Sequence, residues 1–206
     1  MMMQGQSGSG LDVSRETLGK LEQYYELLQK WNQKINLVSK GSLDDGWNRH
    51  IVDSIQIFTA SQHAEGHWVD IGSGGGLPGI VVAIMRSELG LGPVTLIESD
   101  SRKAAFLMTV IRELSLNAKV IVARIEQAPA QSAAVLSARA LASLDLLLGF
   151  AARHLAPTGL CVFPKGRSFE AEIDAARQNW LFDCEVVPSV TEADGAILKV
   201  GNIRHV

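Results

Sequence analysis

The stretch 68–82, WVDIGSGGGLPGIVV, constrains the fold more tightly than any other part of the chain. Trp68, Val69 and Ile71 form a short apolar run that ends in glycines at 72, 74, 75 and 76, and Pro78 and Gly79 lead into a second apolar run with helical spacing. That order predicts strand, tight turn, helix. Glycine reaches positive φ without steric cost and lets backbone N–H groups approach a ligand closely. Proline suits a first helical turn, where its missing donor has no partner to lose. The turn is therefore expected to hold a nucleotide-like ligand against a helix N-terminus.

Glycine spacing alone admits two ligands. Gly74, Gly76 and Gly79 satisfy the G-x-G-x-x-G dinucleotide pattern, whereas Asp70 followed by Gly72, Gly74 and Gly76 satisfies the acid-x-Gly-x-Gly-x-Gly pattern of S-adenosylmethionine (SAM) enzymes. Asp70 favours the second, because a carboxylate there repels a pyrophosphate and attracts a cofactor carrying an ammonium and a sulfonium. A phosphate-cradling Walker loop is excluded, since Ile80 stands where its lysine is required. On this reading Asp70, Gly72, Ser73, Gly74 and Gly76 bind the cofactor, and Asp70 serves it as an exposed acid whose loss leaves stability nearly unchanged.

The rest of the chain supplies a frame for that turn. Its start, MMMQGQSGSG, has no periodicity, and residues 1–13 are set apart as a disordered or appended segment. From Ser14 onward, Leu18, Leu21, Tyr25, Leu28 and Trp31 recur every three or four residues, which predicts an amphipathic helix with Ser14 and Thr17 as candidate caps. A polar loop through Gly41 and Gly46 leads to a second short helix carrying Ile51, Ile55 and Phe58. After Gly79, predicted strands over 94–98, 119–122, 134–137 and 159–163 alternate with predicted helices over 101–116, 141–155 and 169–179, the pattern of a parallel sheet covered on both faces. Apolar runs over 182–190 and 196–200 have no helix between them and predict a closing antiparallel hairpin that turns at TEADG. The expected architecture is α/β: a Rossmann-like SAM-dependent methyltransferase fold with a seven-stranded, mostly parallel sheet, a terminal antiparallel hairpin and an N-terminal helical cap. Residues 14–206 form one domain, with the N-terminal helices in 14–60.

Further site candidates sit at predicted strand ends. Glu98 closes the second strand, where two carboxylate oxygens can accept from both ribose hydroxyls, with Ser99 and Asp100 on the same edge. Ile125 and Glu126 follow the third strand and either flank an adenine ring, accepting from its amino group, or form an ordinary acid-bearing helix start. Arg139 closes the fourth strand in SARALASL. A cation there is costly unless paired with an acid or an incoming anion, so Arg139 is the leading catalytic candidate, the alternative being a structural salt bridge. Lys30, Lys34, Lys40, Arg49 and His50, with Trp31 and Trp47 nearby, suit a structured RNA surface, although Asp44 and Asp45 also allow a solvated face. Lys165 and Arg167 add a second basic point on the crevice side.

Several chemistries are missing. No Ser-His-Asp or Cys-His arrangement occurs in a supporting context, and the five histidines lack metal-ligand spacing, so no metal is expected. Methyl transfer to a lone pair that is already nucleophilic needs no general base. Cys161 and Cys184 fall in apolar runs and read as buried thiols of a reducing compartment. No apolar run approaches about 18 residues and the start lacks a signal-peptide order, which points to a soluble cytoplasmic protein with no membrane partner. The net charge of -3 disfavours bulk polyanion binding, so a nucleic acid must meet a local basic patch.

VDIGSGGGLPGI, the RHIVDSI run over 49–55, ESDSRKAAFL, RIEQ, SARALASL and the PKG at 164–166 together resemble the bacterial RsmG (GidB) family, over about residues 27–200 and in the right order. The chain differs from that pattern in carrying Gly75 and in a shorter loop before Arg139. The resemblance implies a SAM-dependent enzyme that methylates N7 of one guanine in 16S ribosomal RNA of the small subunit; separately, the chain is expected to be a monomer. It places cofactor contacts on Gly72, Leu77, the Glu98–Asp100 turn, Ile125, Glu126 and Arg139. The alternatives are a small-molecule methyltransferase or a non-catalytic SAM-binding ribosome assembly factor and, more distantly, a nicotinamide dehydrogenase, against which Asp70 and the terminal hairpin argue.

Overall fold

The extended backbone of Ser14 and its hydroxyl, which accepts the Thr17 amide at 3.1 Å, start the first helix, α1 (Arg15–Asn32). Its inner face is Thr17, Leu21, Tyr24 and Leu28. Tyr25, which the apolar spacing equally allows in the core, lies one step off that face and is half-buried against Trp47, their rings 5.6 Å apart. The computed structural model describes residues 13–39, 45–61 and 64–206, so Lys40, Gly41, Asp44 and His63 lie outside the described residues. A π-helical turn (Trp47–Val52) runs into α2 (Asp53–Ala60), which buries Ser54, Ile57 and Phe58.

The alternating half begins with β1 (Trp68–Ile71) and α3 (Gly79–Glu88), and continues with β2 (Val94–Glu98), α4 (Ser101–Glu113) and β3 (Ala118–Val122). Then follow β4 (Ala133–Ser137), α5 (Leu144–His154), β5 (Leu155–Lys165), α6 (Phe169–Ala176), β6 (Trp180–Pro188) and β7 (Ala196–His205). The sheet order is β3-β2-β1-β4-β5-β7-β6. The five strands β1 to β5 run parallel, and β7 lies antiparallel to both β5 and β6. The expected seven strands and closing hairpin are all present.

Side chains alternate between two cores. Trp68, Leu96, Val135, Val162 and Ile197 face a layer of α1 to α4. Val69, Ile71, Ile97, Leu136, Phe163 and Leu198 face α5 and α6. The N-terminal cap is therefore a full layer of the core, with α1 and α2 packed on α3. Buried Arg86 ties the connections flanking β1, donating to the carbonyls of Ala64 (2.9 Å), Gly92 (3.0 Å) and Gly66. Strand β7 runs past Val200, where its apolar run stops, because Trp180 and Leu181 pair with His205 and Arg204. Backbone pairing holds those polar residues, and hydropathy gives no sign of it.

The order of strands creates the site. The chain moves outward from β1 to β2 and β3 and then returns to β4 on the other side of β1. Connections leaving the carboxyl ends of β1 and β4 diverge there and open a crevice. Among the described residues no helix is long and apolar enough to cross a membrane, and no group of His, Cys, Asp or Glu is placed to hold a metal. Both thiols are free; Cys161 is buried, whereas Cys184 is only half-buried.

Candidate active site at the carboxyl edge of the sheet

The turn after β1 needs its glycines. Gly72, Gly74 and Gly76 have φ of 64°, 54° and 87°. A Cβ on Gly72 would lie 2.6 Å from Leu141, and one on Gly76 would lie 2.5 Å from Ile80, so no side chain fits at either. The turn is also pinned from outside. Gly76 N donates to Ser73 O at 2.7 Å, Gly74 N to Glu98 Oε2 at 2.8 Å, and the Tyr24 hydroxyl to Gly75 O at 2.6 Å. Burial pushes the Tyr24 phenol pKa up, which keeps it a donor.

Asp70 departs from expectation. It is fully buried, not exposed, and does not line the crevice. The even positions of β1 face the α3 layer, so its carboxylate lies under the turn against Gly79, where a Cβ would meet Oδ2 at 2.7 Å. Oδ1 accepts from the Ser137 hydroxyl at 2.6 Å, and Ser137 in turn accepts from Trp68 Nε1 at 2.9 Å. Among the described residues Oδ2 has no hydrogen-bond partner. Burial raises the Asp70 pKa to about 6, against the opposing pull of the Ser137 and Ser73 hydroxyls and of Arg139.

The crevice has a volume of about 820 Å³ and is lined by Gly72, Ser73, Gly74, Leu77 and Arg139 among the expected residues. Gly76 is buried beneath it. Glu98, Ser99, Asp100, Ile125 and Glu126 do not line it and stand beside it at the ends of β2 and β3. Glu98 accepts the Gly74 amide on one oxygen and the Asp100 amide, at 2.7 Å, on the other. Both oxygens are thus partly committed to holding the turn. Asp100 caps α4 through the Arg102 amide at 2.8 Å, and the Arg102 guanidinium beside it holds its carboxyl well below the usual range. Ser99 and Glu126 are exposed, while Ile125 is buried with its carbonyl 2.9 Å from His154 Nε2.

Because a glutamine accepts one amide and opposes the other, Glu98→Gln is expected to loosen the turn and weaken SAM binding by roughly tenfold. Calorimetric titration with SAM checks this. An unchanged dissociation constant in Glu98→Ala would remove Glu98 from the cofactor site.

Arg139 has an acidic partner that its own loop does not contain. Nη1 donates to Arg49 O at 2.7 Å and to Asp53 Oδ2 at 3.2 Å, and Nη2 lies 3.2 Å from His50 Nδ1. The salt bridge and the position on the crevice therefore coexist. Burial and the neighbouring guanidinium lower the His50 pKa to about 4, so the imidazole is neutral at pH 7. Asp53 Oδ1 also accepts from Thr191 Oγ1 at 2.8 Å and Gln56 Nε2 at 2.7 Å, and Gln56 Oε1 accepts the Val190 amide at 3.0 Å. One carboxylate joins α2, the loop after β4 and the loop over 189–195. Sequence reading missed Tyr24, Asp53 and Gln56 as site residues; the only available signal was that Asp53 and Gln56 are three apart on the polar side of α2.

The expected basic surface is partly rearranged. Lys30, Lys34 and Arg49 are exposed, but His50 is buried, Trp31 packs on Phe106 and Trp47 on Tyr25. Lys165 lines the crevice yet is neutralised by Glu172 at 2.7 Å, which leaves Arg167 as the exposed cation of that pair. Half-buried Lys103 lies between the crevice and a smaller depression bordered by Lys34 and Arg102.

Solved structures share this architecture. A SAM-dependent methyltransferase from Aquifex aeolicus superposes with a TM-score of 0.59 at 15% identity, covering 78% of this chain and 94% of that one. A mutant of MtNAS in complex with S-adenosylmethionine gives 0.59 at 16% identity, covering 90% and 77%. At such identities the likeness establishes the fold alone. Sequence relatives are much nearer. The protein named ribosomal RNA small subunit methyltransferase G from Ruegeria sp. strain TM1040 is 53% identical over 206 residues, 100% of both chains. Its namesake from Paracoccus denitrificans is 48% identical, covering 95% of this chain and 100% of that one. With the GidB family model, described as rRNA small subunit methyltransferase G, matching residues 17–200, the chain belongs to that family.

Proposed function

We propose that this protein transfers the methyl group of SAM to N7 of a guanine in 16S ribosomal RNA. The observation that carries this reading is a pinned, positive-φ glycine turn opening onto a crevice bordered by Arg139, in a chain that matches this family from residue 17 to residue 200. The site fits the cofactor: no side chain fills the turn, and the unpartnered Oδ2 of Asp70 lies directly beneath it. When bound, SAM supplies an electrophilic methyl on a positively charged sulfur. The backbone of Gly72 and Gly74 and the clamp from Glu98 hold the turn in place, and the buried Asp70 charge favours a cation above it. Leu77 shapes the wall, and Ser99, Asp100, Ile125 and Glu126 are assigned to the adenosine end beside the crevice.

Guanine N7 carries an in-plane lone pair on the Hoogsteen edge and loses no proton when alkylated. Catalysis then rests on positioning, which agrees with an Arg139–His50–Asp53 network that offers fixed hydrogen bonds, the His50 Nδ1 facing Arg139 Nη2, to a reaction that has no proton for a base to remove. Exposed Lys30, Lys34 and Arg49, with half-buried Lys103, serve the RNA backbone around the opening. We read residues 14–206 as one domain that works as a cytoplasmic monomer.

Incubation with labelled SAM and, in parallel, unmodified small subunits, deproteinised small-subunit RNA and large subunits tests the assignment. Label is expected at a single guanine of the small-subunit RNA, at a position that becomes sensitive to aniline-induced strand scission. SAM binding with no label in any RNA would favour the assembly-factor reading instead.

A further inference from the structure

Among the described residues that line the crevice there are three carboxylates, and two already hold partners. Asp53 holds Arg139, Thr191 and Gln56. Glu172 accepts Lys165 Nζ at 2.7 Å and the Leu144 amide at 2.9 Å. Glu192 also lines the crevice, yet among the described residues its carboxylate has no hydrogen-bond or ion-pair partner. Its backbone is nevertheless fixed. Glu192 N donates to Ser189 Oγ at 3.2 Å, its carbonyl accepts from Gly195 N at 3.0 Å, and the adjoining Val190 and Thr191 are tied to Gln56 and Asp53. The two oxygens rest against glycines: a Cβ on Gly166 would stand 3.6 Å from Oε1, and one on Gly195 would stand 3.1 Å from Oε2. A free charge on an immobilised loop at the mouth of a crevice is available to a ligand.

We infer that Glu192 reads the target base, its two oxygens accepting from N1–H and from the N2 amino group of guanine; this rests on the proposed function. The two edges of guanine lie on opposite sides of the ring system, so a base whose N7 faces the methyl donor turns its N1 and N2 donors away from it. Glu192 occupies that far side. The glycine turn follows β1, and the Glu192 loop precedes β7, three strand spacings away in the order β1-β4-β5-β7, or about 14 Å. Such a span accommodates the reacting end of the cofactor and one base. A carboxylate also discriminates, because guanine presents two donors at that edge whereas adenine presents the N1 lone pair, which a carboxylate repels. Inosine keeps N1–H and lacks the amino group.

Single-turnover methyl transfer into small subunits reconstituted with guanosine or inosine at the mapped position tests this. The unaltered protein is expected to prefer guanosine by roughly ten- to hundredfold, the value of a hydrogen bond to a charged group. Glu192→Gln and Glu192→Ala should slow transfer to guanosine by a similar factor and bring the guanosine-to-inosine ratio close to one, with SAM affinity unchanged. A variant that keeps both rate and preference overturns the inference, as does one that loses SAM affinity and thermal stability together. Failure of the unaltered protein to methylate RNA at all would instead overturn the proposed function and this assignment with it.

Discussion

Between pH 4 and pH 6, Asp70→Asn is expected to become more stable relative to the unaltered protein by roughly 3 kcal/mol, the equivalent of moving a carboxyl pKa from its ordinary value of 3.8 to about 6. The sign follows from proton counting. A group whose folded pKa is raised holds its proton longer in the native state, so above pH 4 the unfolded chain gains the free energy of ionisation that burial denies the native state. Stability due to Asp70 therefore falls as pH rises through this window. His50, His67 and His154, whose pKa values are lowered chiefly by burial, contribute the opposite slope, but they are common to both proteins and cancel in the difference. An asparagine nitrogen facing Gly79 adds an offset that does not vary with pH. Urea unfolding of the two proteins at several pH values measures the difference directly, and a difference that stays constant would show that Asp70 does not titrate there. In the proposed function the same charge favours the cofactor's cation. SAM affinity of the unaltered protein should accordingly rise through pH 6, and Asp70→Asn should lose that rise. If both results are found, the residue weakens the fold for the sake of the site, a trade between stability and function.

This outcome differs from what the sequence suggested for Asp70, and the reason is geometric. A strand-end acid followed by glycines marks the cofactor turn, but whether its side chain points toward the crevice or into a helix layer depends on strand parity and on what packs opposite. Trp68, Asp70 and Gly79 settle that only once α3 is docked. Features carried by local pattern were legible: the Ser14 cap, the strand–turn–helix at 68–82, the alternation that yields a parallel sheet, and the apolar runs of the terminal hairpin. Features created by contacts between distant segments were not. Tyr24 reaches Gly75 across 51 positions, and Thr191 reaches Asp53 across 138. Nothing in the spacing of either residue distinguishes it from its neighbours, as the choice between Tyr24 and Tyr25 illustrates. Likewise, the pairing of Lys165 with Glu172 turns an apparent RNA-facing cation into a structural one.

Arg139→Ala and Asp53→Ala are each expected to slow single-turnover transfer roughly a hundredfold, with the double variant no slower than the worse single one. The two side chains are only 18% and 17% exposed, and each is the other's sole ion-pair partner among the described residues. Removing one leaves the other as a partly buried, uncompensated charge, which costs more than the pair contributes while intact. Their hydrogen bonds also reach different segments: Arg139 holds Arg49 and His50, and Asp53 holds Gln56 and Thr191. Loss of either therefore releases the same three-way junction between α2, the loop after β4 and the loop carrying Glu192. Residues that act as one unit show this non-additivity, whereas an Arg139 that contacts the base or a phosphate by itself would leave Asp53→Ala nearly active and make the two losses multiply. Arg139→Lys separates charge from shape, since an ammonium cannot span Asp53, the Arg49 carbonyl and His50 at once, so recovery should be poor if the fork matters. SAM titrations on the same variants complete the cycle. Because the glycine turn is pinned by Tyr24 and Glu98 independently of this junction, cofactor affinity should fall much less than transfer. A parallel loss of both would instead make Arg139 part of the cofactor site.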